Sequence, residues 1–90
     1  MNGEITEESI QQEKEKARRL KSTAWWKEKK GRGVCHYCQQ VVKPAELTMD
    51  HQVPLARGGR STRGNLVPAC RDCNQKKKGL LLMEWDSFLQ

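Results

Sequence analysis

The sequence predicts a small α+β domain that a metal site holds together. Three observations support this prediction. A chain of 90 residues with 36% hydrophobic and 31% charged residues buries only a thin apolar core, so it needs another source of stability. Its four cysteines form two C-x₂-C pairs. Helix-forming segments and short strand-like runs surround these pairs without any internal repeat, so a single domain of mixed secondary structure fits best.

Residues 1–30 are predicted to form an N-terminal helical extension. Thr6, followed by two glutamates, is typical of a helix start, because its hydroxyl caps free amides and the acids oppose the positive end of the helix dipole. The apolar stripe of this helix is thin, so its first half is either a solvent-exposed helix or partly disordered. Ser22 or Thr23 is predicted to cap a second helix, whose two tryptophans we expect to pack it onto the domain.

Residues 31–90 are predicted to form the second part of the chain, a functional domain that ends in a C-terminal helix. Valine-rich and Leu-Thr-Met runs indicate strands, and a Pro and Gly-Gly segment indicates the loop between them. In order along the chain, we expect strand-like runs at 41–42 and 47–49, a loop at 51–62, a returning strand at 65–68, a helix at 70–78 and a second helix at 80–89.

The positive charge of the chain is concentrated in its middle. The sequence has 17 Lys and Arg against 11 Asp and Glu, a net charge of +6. Residues 31–78 hold nine basic and three acidic residues, together with all four cysteines and both histidines. A basic segment is often only a solvated surface, but its coincidence with a candidate metal site favours a polyanionic partner such as nucleic acid.

The sequence also bears on the compartment in which the protein works. No apolar run reaches the roughly 18 residues of a membrane span, and the charged N-terminus lacks the apolar core of a signal peptide. We therefore expect a cytoplasmic protein that does not associate with a membrane.

The four cysteines are predicted to hold one structural zinc ion. Cys35 and Cys38 form the first pair, Cys70 and Cys73 the second, and 31 residues separate the pairs. Two C-x₂-C pairs complete a closed tetrahedral shell, which leaves no open position for catalysis. Binding on the order of 10 kcal/mol would supply stability that the core lacks. Two disulfides are the alternative, which the non-secretory composition disfavours.

Asp50, His51, Asn65 and Asn74 are the candidate functional residues near the cysteines. Asp50 and His51 are adjacent, so at a strand end they project to opposite sides, and one can hold a cation while the other faces a substrate. Asp50 and Asn74 offer hard oxygen ligands, which suit Mg²⁺ or a similar hydrated ion. His51 has a pKa range that lets it take a proton from water. The alternative is that Asp50 and His51 only cap a turn.

The order, spacing and identity of these residues closely resemble the HNH endonuclease family over residues 35 to about 79. The resemblance implies a ββα-metal fold, in which two antiparallel strands and a helix hold the nuclease metal, flanked by further helices. It also implies the zinc-bearing branch, in which a Cys₄ site supports this unit. The resemblance rests on Cys35-x₂-Cys38, Thr48-Met49-Asp50-His51, Pro54-Leu55-Ala56-Arg57-Gly58-Gly59, Asn65-Leu66-Val67-Pro68-Ala69-Cys70 and Cys73-Asn74-Gln75-Lys76-Lys77.

The resemblance further implies metal-dependent hydrolysis of DNA phosphodiester bonds, so that residues 31–90 would be an HNH nuclease domain. His51 would be the general base, and Asn65 would brace the loop and orient it. Asp50 and Asn74 would hold one divalent cation. Asn74 stands where the family commonly has its last histidine, which makes this an HNN variant. The cation is therefore left open between Mg²⁺, Mn²⁺ and another transition metal.

The expected partner is DNA, in its double-stranded form. The resemblance also suggests a larger partner in phage packaging or restriction, and the oligomeric state stays open. Two alternatives remain: a catalytically idle zinc module that binds nucleic acid, and an interaction protein that recruits a partner through Trp25, Trp26 and the C-terminal helix. The candidate contacts to the DNA backbone are Arg57, Arg60, Arg63, Arg71, Lys76, Lys77 and Lys78.

Overall fold

The computed structural model describes residues 5–81, 83 and 84. Two helices precede a two-stranded antiparallel sheet, and a third helix follows the second strand directly. This order confirms the predicted small α+β fold with its β–β–α unit. The elements are α1 (Glu7–Lys21), α2 (Ala24–Gly31), β1 (Leu47–His51), β2 (Leu66–Cys70) and α3 (Arg71–Lys77), with short 3₁₀ turns at Pro44–Glu46 and Leu55–Arg57.

Hydroxyl side chains cap the two N-terminal helices. Thr6 accepts a hydrogen bond from the amide of Ser9, and the Ser9 hydroxyl accepts one from the amide of Thr6, which closes a capping box. Thr23, rather than Ser22, caps α2. The first helix is continuous over 15 residues, so the helical alternative for its first half is correct. Trp26 is 3% exposed, which confirms that it packs α2 onto the domain.

Alternate side chains of β1 face different helices. β1 pairs with β2 along the whole length of both strands. Thr48 and Asp50 face α3, where they contact its side chains. Met49 and His51 face α1, because they line a groove with that helix. Asp50 and His51 therefore project to opposite sides of the strand, as adjacent residues of a strand must.

The cysteines form part of the small apolar core. A bridge between Val34 and Val41 closes a tight turn that carries the first cysteine pair. The second pair lies at the end of β2 and in the first turn of α3. The core is as thin as the composition predicts, so the packing of β1, β2 and α3 depends on the cysteine positions. The buried residues of this cluster are Cys35, Leu47, Ala69 and Cys73, with Tyr37, Val42 and Leu80 packed against them.

Two remaining expectations concern the C-terminus and membranes. The predicted helix at 80–89 lies mostly outside the described residues. Across residues 5–81, 83 and 84, no helix combines the length and the apolar character that crossing a bilayer requires.

Candidate active site and cysteine metal centre

The four cysteine sulfurs converge on one point. The Sγ atoms of Cys35, Cys38, Cys70 and Cys73 all lie within 4.8 Å of one another, and all four residues are free thiols. A tetrahedral zinc ion with Zn–S bonds of about 2.3 Å would hold its sulfurs about 3.8 Å apart. The Cys38 and Cys70 sulfurs are 3.9 Å apart. The cluster therefore fits a metal ion such as zinc, and it does not form the two disulfides of the alternative.

Backbone amides prepare one of these sulfurs as a thiolate. Burial raises the pKa of Cys35, but hydrogen bonds from the amides of Cys38, Cys70 and Tyr37 outweigh it and bring that pKa to about 7. The Cys70 amide lies 3.3 Å from the Cys35 sulfur. Because the thiolate is the form that binds metal, the backbone favours the metal-binding state of this residue.

Asp50 and Asn74 line one open cleft of about 460 Å³ between β1 and α3. The Asn74 amide nitrogen donates to the Thr48 hydroxyl at 2.7 Å, which fixes the amide and leaves its oxygen as an acceptor. The structure thus brings the two predicted cation ligands together, and their oxygen atoms are of the type that hard divalent cations prefer. We call this the Asp50/Asn74 cleft; its other lining residues are Thr48, Arg71, Gln75, Lys78 and Gly79.

Two partners hold the Asp50 carboxylate in place. The Tyr37 hydroxyl donates to its Oδ2 at 2.5 Å, and the Lys77 ammonium lies 3.3 Å from the same oxygen. Burial and the bond to Asp50 raise the pKa of Tyr37, so it remains a donor. Within the described residues, Oδ1 of Asp50 receives no hydrogen bond. That oxygen and the Asn74 amide oxygen are the atoms available to a cation.

Lys77 was predicted to contact DNA, but the structure buries it, which corrects that prediction. Lys77 is only 1% exposed, and its ammonium donates to the carbonyl oxygen of His51 at 2.9 Å. A buried ammonium needs such partners because desolvation is costly, so this side chain ties the end of β1 to α3. The spacing from Cys73 signals this role, since residues four apart on a helix share a face and Cys73 is buried.

His51 is held by a serine that sequence reasoning missed. The ring Nε2 lies 2.9 Å from the Ser61 hydroxyl, which donates its one hydrogen to the backbone carbonyl of Glu13 at 2.5 Å. Because a carbonyl only accepts, the serine oxygen must accept the hydrogen of Nε2. The neutral ring therefore carries its proton on Nε2 and has a lone pair on Nδ1. The Glu13 carboxylate also accepts from the Ser61 amide at 2.6 Å.

The surroundings of His51 favour its neutral form. Burial lowers the pKa of the ring, and the charges of Lys77 and Lys21 act in the same direction. Asp50 and Glu13 oppose this shift, but the net direction is downward. Since the ordinary value is near 6.5, the imidazole is mostly neutral at pH 7.

His51 does not share the Asp50/Asn74 cleft. It lines a separate groove of about 290 Å³ on the other face of β1. We call it the α1 groove, because most of its lining comes from that helix: Lys14, Ala17, Arg18 and Lys21, with Met49 and His51 from β1. The predicted base and the predicted cation ligands therefore reach the end of one strand from its two faces.

Asn65 anchors the loop between the two strands. Its side-chain oxygen accepts from the Val53 amide at 2.9 Å. Its amide nitrogen donates to the carbonyls of Val53 and Arg60, at 3.1 and 2.8 Å. These bonds fix the backbone on the approach to Ser61. Among the described residues, Asn65 makes no direct hydrogen bond to His51.

The six remaining candidate DNA contacts are exposed but differ in their surroundings. Arg71 and Lys78 line the Asp50/Asn74 cleft, where they face the candidate cation ligands. The other four have partners on the protein surface: Arg57 pairs with Glu84, Arg60 with Glu13 and Lys76 with Asp72, while Arg63 lies over the Trp25 ring. Exposed ion pairs of this kind are weak, so these side chains can exchange partners.

Comparison with known proteins assigns the central segment of the chain to a protein family. A sequence model of the HNH endonuclease family matches residues 35–79, which is half of the chain. The chain belongs to the HNH endonuclease family. The matched segment holds both cysteine pairs and all four candidate functional residues, which confirms the resemblance noted from the sequence. Helices α1 and α2 lie outside it.

One relative of this HNH protein is a much longer enzyme. The chain is similar to the CRISPR-associated endonuclease Cas9 of Corynebacterium diphtheriae, with 40% identity over 52 residues. The alignment covers 57% of this chain but only 5% of the Cas9 sequence. The similarity is therefore to a small part of that enzyme, and it supports membership of a nuclease family.

Proposed function

We propose that this HNH protein is an endonuclease that hydrolyses DNA phosphodiester bonds with one divalent cation. The observation that carries the proposal is the arrangement at the end of β1. A neutral imidazole with its lone pair on Nδ1 follows directly after a carboxylate that shares a cleft with an amide oxygen. The family and the named relative, both endonucleases, support the same reaction class.

His51 is the proposed general base. Its Nδ1 accepts a proton from a water molecule as the water oxygen attacks phosphorus, the bond from phosphorus to the leaving 3′ oxygen breaks, and that oxygen takes a proton from solvent water. The ring becomes positively charged in this step. Asp50 and Glu13 are close enough to favour that charged form, and Ser61 keeps the ring oriented throughout.

Asp50 and Asn74 are the proposed ligands of the divalent cation. When bound, a cation there would neutralise charge on the phosphate and stabilise the leaving oxygen. The ligands are oxygen atoms with a single formal charge between them, which suits an ion that keeps several waters, such as Mg²⁺ or Mn²⁺. Hydrolysis would leave 5′-phosphate and 3′-hydroxyl ends, as the family resemblance implies.

The scissile phosphate would lie across the end of β1. Consecutive Cα atoms are 3.8 Å apart, so a phosphate at the strand edge can be reached by Asp50 from one face and by His51 from the other. In the described part of the chain, the sheet has two strands, and β2 covers one edge of β1. Arg71 and Lys78 would supply positive charge on the cleft side.

A plasmid assay tests the proposal. Supercoiled DNA is incubated with the protein and added Mg²⁺, Mn²⁺, Ni²⁺ or Zn²⁺, and gel electrophoresis measures conversion to nicked or linear forms. We expect cleavage by the wild type, and loss of at least about 100-fold in rate for His51→Ala, since a general base contributes that much or more. The zinc content of the variant should be unchanged.

The second histidine offers a matched control. His36 is exposed on the cysteine turn, so His36→Ala should cleave as the wild type does. A wild-type protein that leaves the plasmid intact with every metal, or a His51→Ala protein that cleaves normally, would contradict the proposed hydrolysis.

One observation favours a second candidate function, nucleic-acid binding without cleavage. The imidazole and the proposed cation ligands open onto different faces of β1. This separation does not hinder DNA binding, whereas cleavage requires both groups to reach the same phosphate at the strand end. This alternative predicts salt-sensitive DNA binding that Asp50→Ala and His51→Ala both leave unchanged, with no cleavage by the wild type.

The cellular setting is part of the proposal. A reducing cytoplasm would keep the four thiols available for metal. Double-stranded DNA is the proposed substrate, and a larger phage-packaging or restriction partner stays a prediction of the family resemblance.

A further inference from the structure

The α1 groove places basic side chains beside the proposed general base. Lys14, Arg18 and Lys21 lie on one face of α1, since their spacing of four and three residues brings them together on a helix. Ala17 lies on the same face and is buried. The helix therefore meets the domain at Ala17, and its cationic side chains flank that contact.

The charges in this groove are only partly compensated by the protein. Arg18 donates to Glu15 at 2.6 Å. Among the described residues, neither Lys14 nor Lys21 has a carboxylate partner. Four of the candidate DNA contacts elsewhere have a partner: Arg57, Arg60 and Lys76 pair with an acid, and Arg63 lies over an aromatic ring. Within the described residues, the charges of Lys14 and Lys21 next to His51 are therefore open to an anion from outside the chain.

We propose that the α1 groove binds the phosphate backbone of the DNA strand that His51 attacks, with Lys14 and Lys21 as the contacts. This inference rests on the proposed function. The two lysines are seven residues apart, about 10 Å along the helix, so they can contact different phosphates. The contact comes from α1, outside the segment that the family model matches.

A phosphodiester strand fits this groove better than a small anion. The cavity is an open groove of about 290 Å³ rather than a closed pocket. Met49 and Ala17 add apolar surface between the cations, where a sugar can pack. The strand would thus pass over His51 with cations of α1 on one side and Arg71 and Lys78 beyond β1 on the other.

A pair of double variants with equal charge change tests the inference. Lys14→Gln/Lys21→Gln removes two charges from the groove, whereas Arg19→Gln/Lys27→Gln removes two exposed charges outside it. Fluorescence anisotropy measures binding to a labelled duplex DNA oligonucleotide over a series of salt concentrations, without added divalent cation. Thermal unfolding verifies that each variant is folded.

We expect the groove variant to bind at least about 10-fold more weakly at moderate salt. The slope of log K for DNA binding against log salt concentration should also become less steep by about 1.8, since each lost phosphate contact contributes about 0.9 to that slope. The control variant should change affinity less than about 2-fold. Lys14→Arg/Lys21→Arg, which keeps the charges, should bind as the wild type does.

Other outcomes would overturn the inference. Equal loss in the groove and control variants would mean that Lys14 and Lys21 belong to a solvated basic face with no specific contact. An unchanged groove variant would mean that DNA does not enter the groove. The plasmid assay separates the two proposals: if the wild type binds through the groove but never cleaves, the proposed hydrolysis is wrong and the groove contact stands.

Discussion

Among single residues, Ser61 holds the imidazole of His51 through a direct hydrogen bond. Its hydroxyl connects the ring to the backbone of Glu13 on α1, and it is 6% exposed. We predict that Ser61→Ala lowers the cleavage rate about 10- to 100-fold with little change in KM, because an unheld ring gives up part of the contribution of a general base.

The tautomer of His51 gives this prediction a second measurement. Nitrogen-15 NMR of the imidazole should show the proton on Nε2 in the wild type and a mixture of tautomers in Ser61→Ala. Ser61→Thr keeps a hydroxyl at the same position and should retain both the tautomer and the rate. A Ser61→Ala protein with wild-type kinetics and an unchanged tautomer would show that Ser61 does not position the ring.

Residue chemistry explains which site residues could be predicted from the sequence. The structure brings Asp50 and Asn74 to one cleft, and this approach was predictable because Asn74 directly follows Cys73, which lies in the cysteine cluster. Ser61 and Glu13 were not predictable. Their contact joins residues 48 positions apart and depends on how α1 packs, which no local spacing encodes.

At the level of elements, one buried ion pair connects β1 to α3. Lys77 donates to the carbonyl of His51 and pairs with the half-buried Asp50. We predict that Lys77→Ala lowers the free energy of unfolding by about 3–5 kcal/mol, because removing one partner leaves the other charge buried without compensation. Urea denaturation monitored by tryptophan fluorescence measures this change.

The neighbouring lysine is the matched control for this pair. Lys76 is exposed and pairs with Asp72 on the same helix, so Lys76→Ala should change stability by less than about 1 kcal/mol. Equal stability of the two variants would mean that the ammonium of Lys77 does not hold the strand to the helix.

The elements themselves were largely predictable from local signals. Threonine caps, a strand that returns after a Pro and Gly-Gly loop, and a helix that starts at the second cysteine pair all depend on short-range chemistry. The burial of one lysine in a run of three was not apparent from composition. It follows from the helical register that α3 adopts once Cys73 is fixed in the core.

For the whole molecule, the packed core and the cysteine cluster have two residues in common. Cys35 and Cys73 are buried among Leu47 and Ala69, so β1, β2 and α3 meet at the cysteine cluster. The thin core was predictable from composition, and the prediction of a stabilising metal followed from it. The packing of α1 against the loop near Leu55–Arg57 was not, since its apolar stripe is too thin to indicate a partner.

Cys38 separates the metal contribution to stability from the packing contribution. Its side chain is exposed, so Cys38→Ser removes one ligand without leaving a cavity in the core, whereas serine at Cys35 would disturb both. We predict one zinc ion per wild-type chain by elemental analysis, and for Cys38→Ser a loss of that zinc and of cooperative thermal unfolding. The physical reason is that metal-binding free energy in such sites, on the order of 10 kcal/mol or more, exceeds what a core of this size supplies.

Chelation of the wild type should reproduce the behaviour of the variant, and added zinc should reverse the effect of chelation. A zinc-free chain that still melts cooperatively at the wild-type temperature would show that apolar packing alone holds the three elements together.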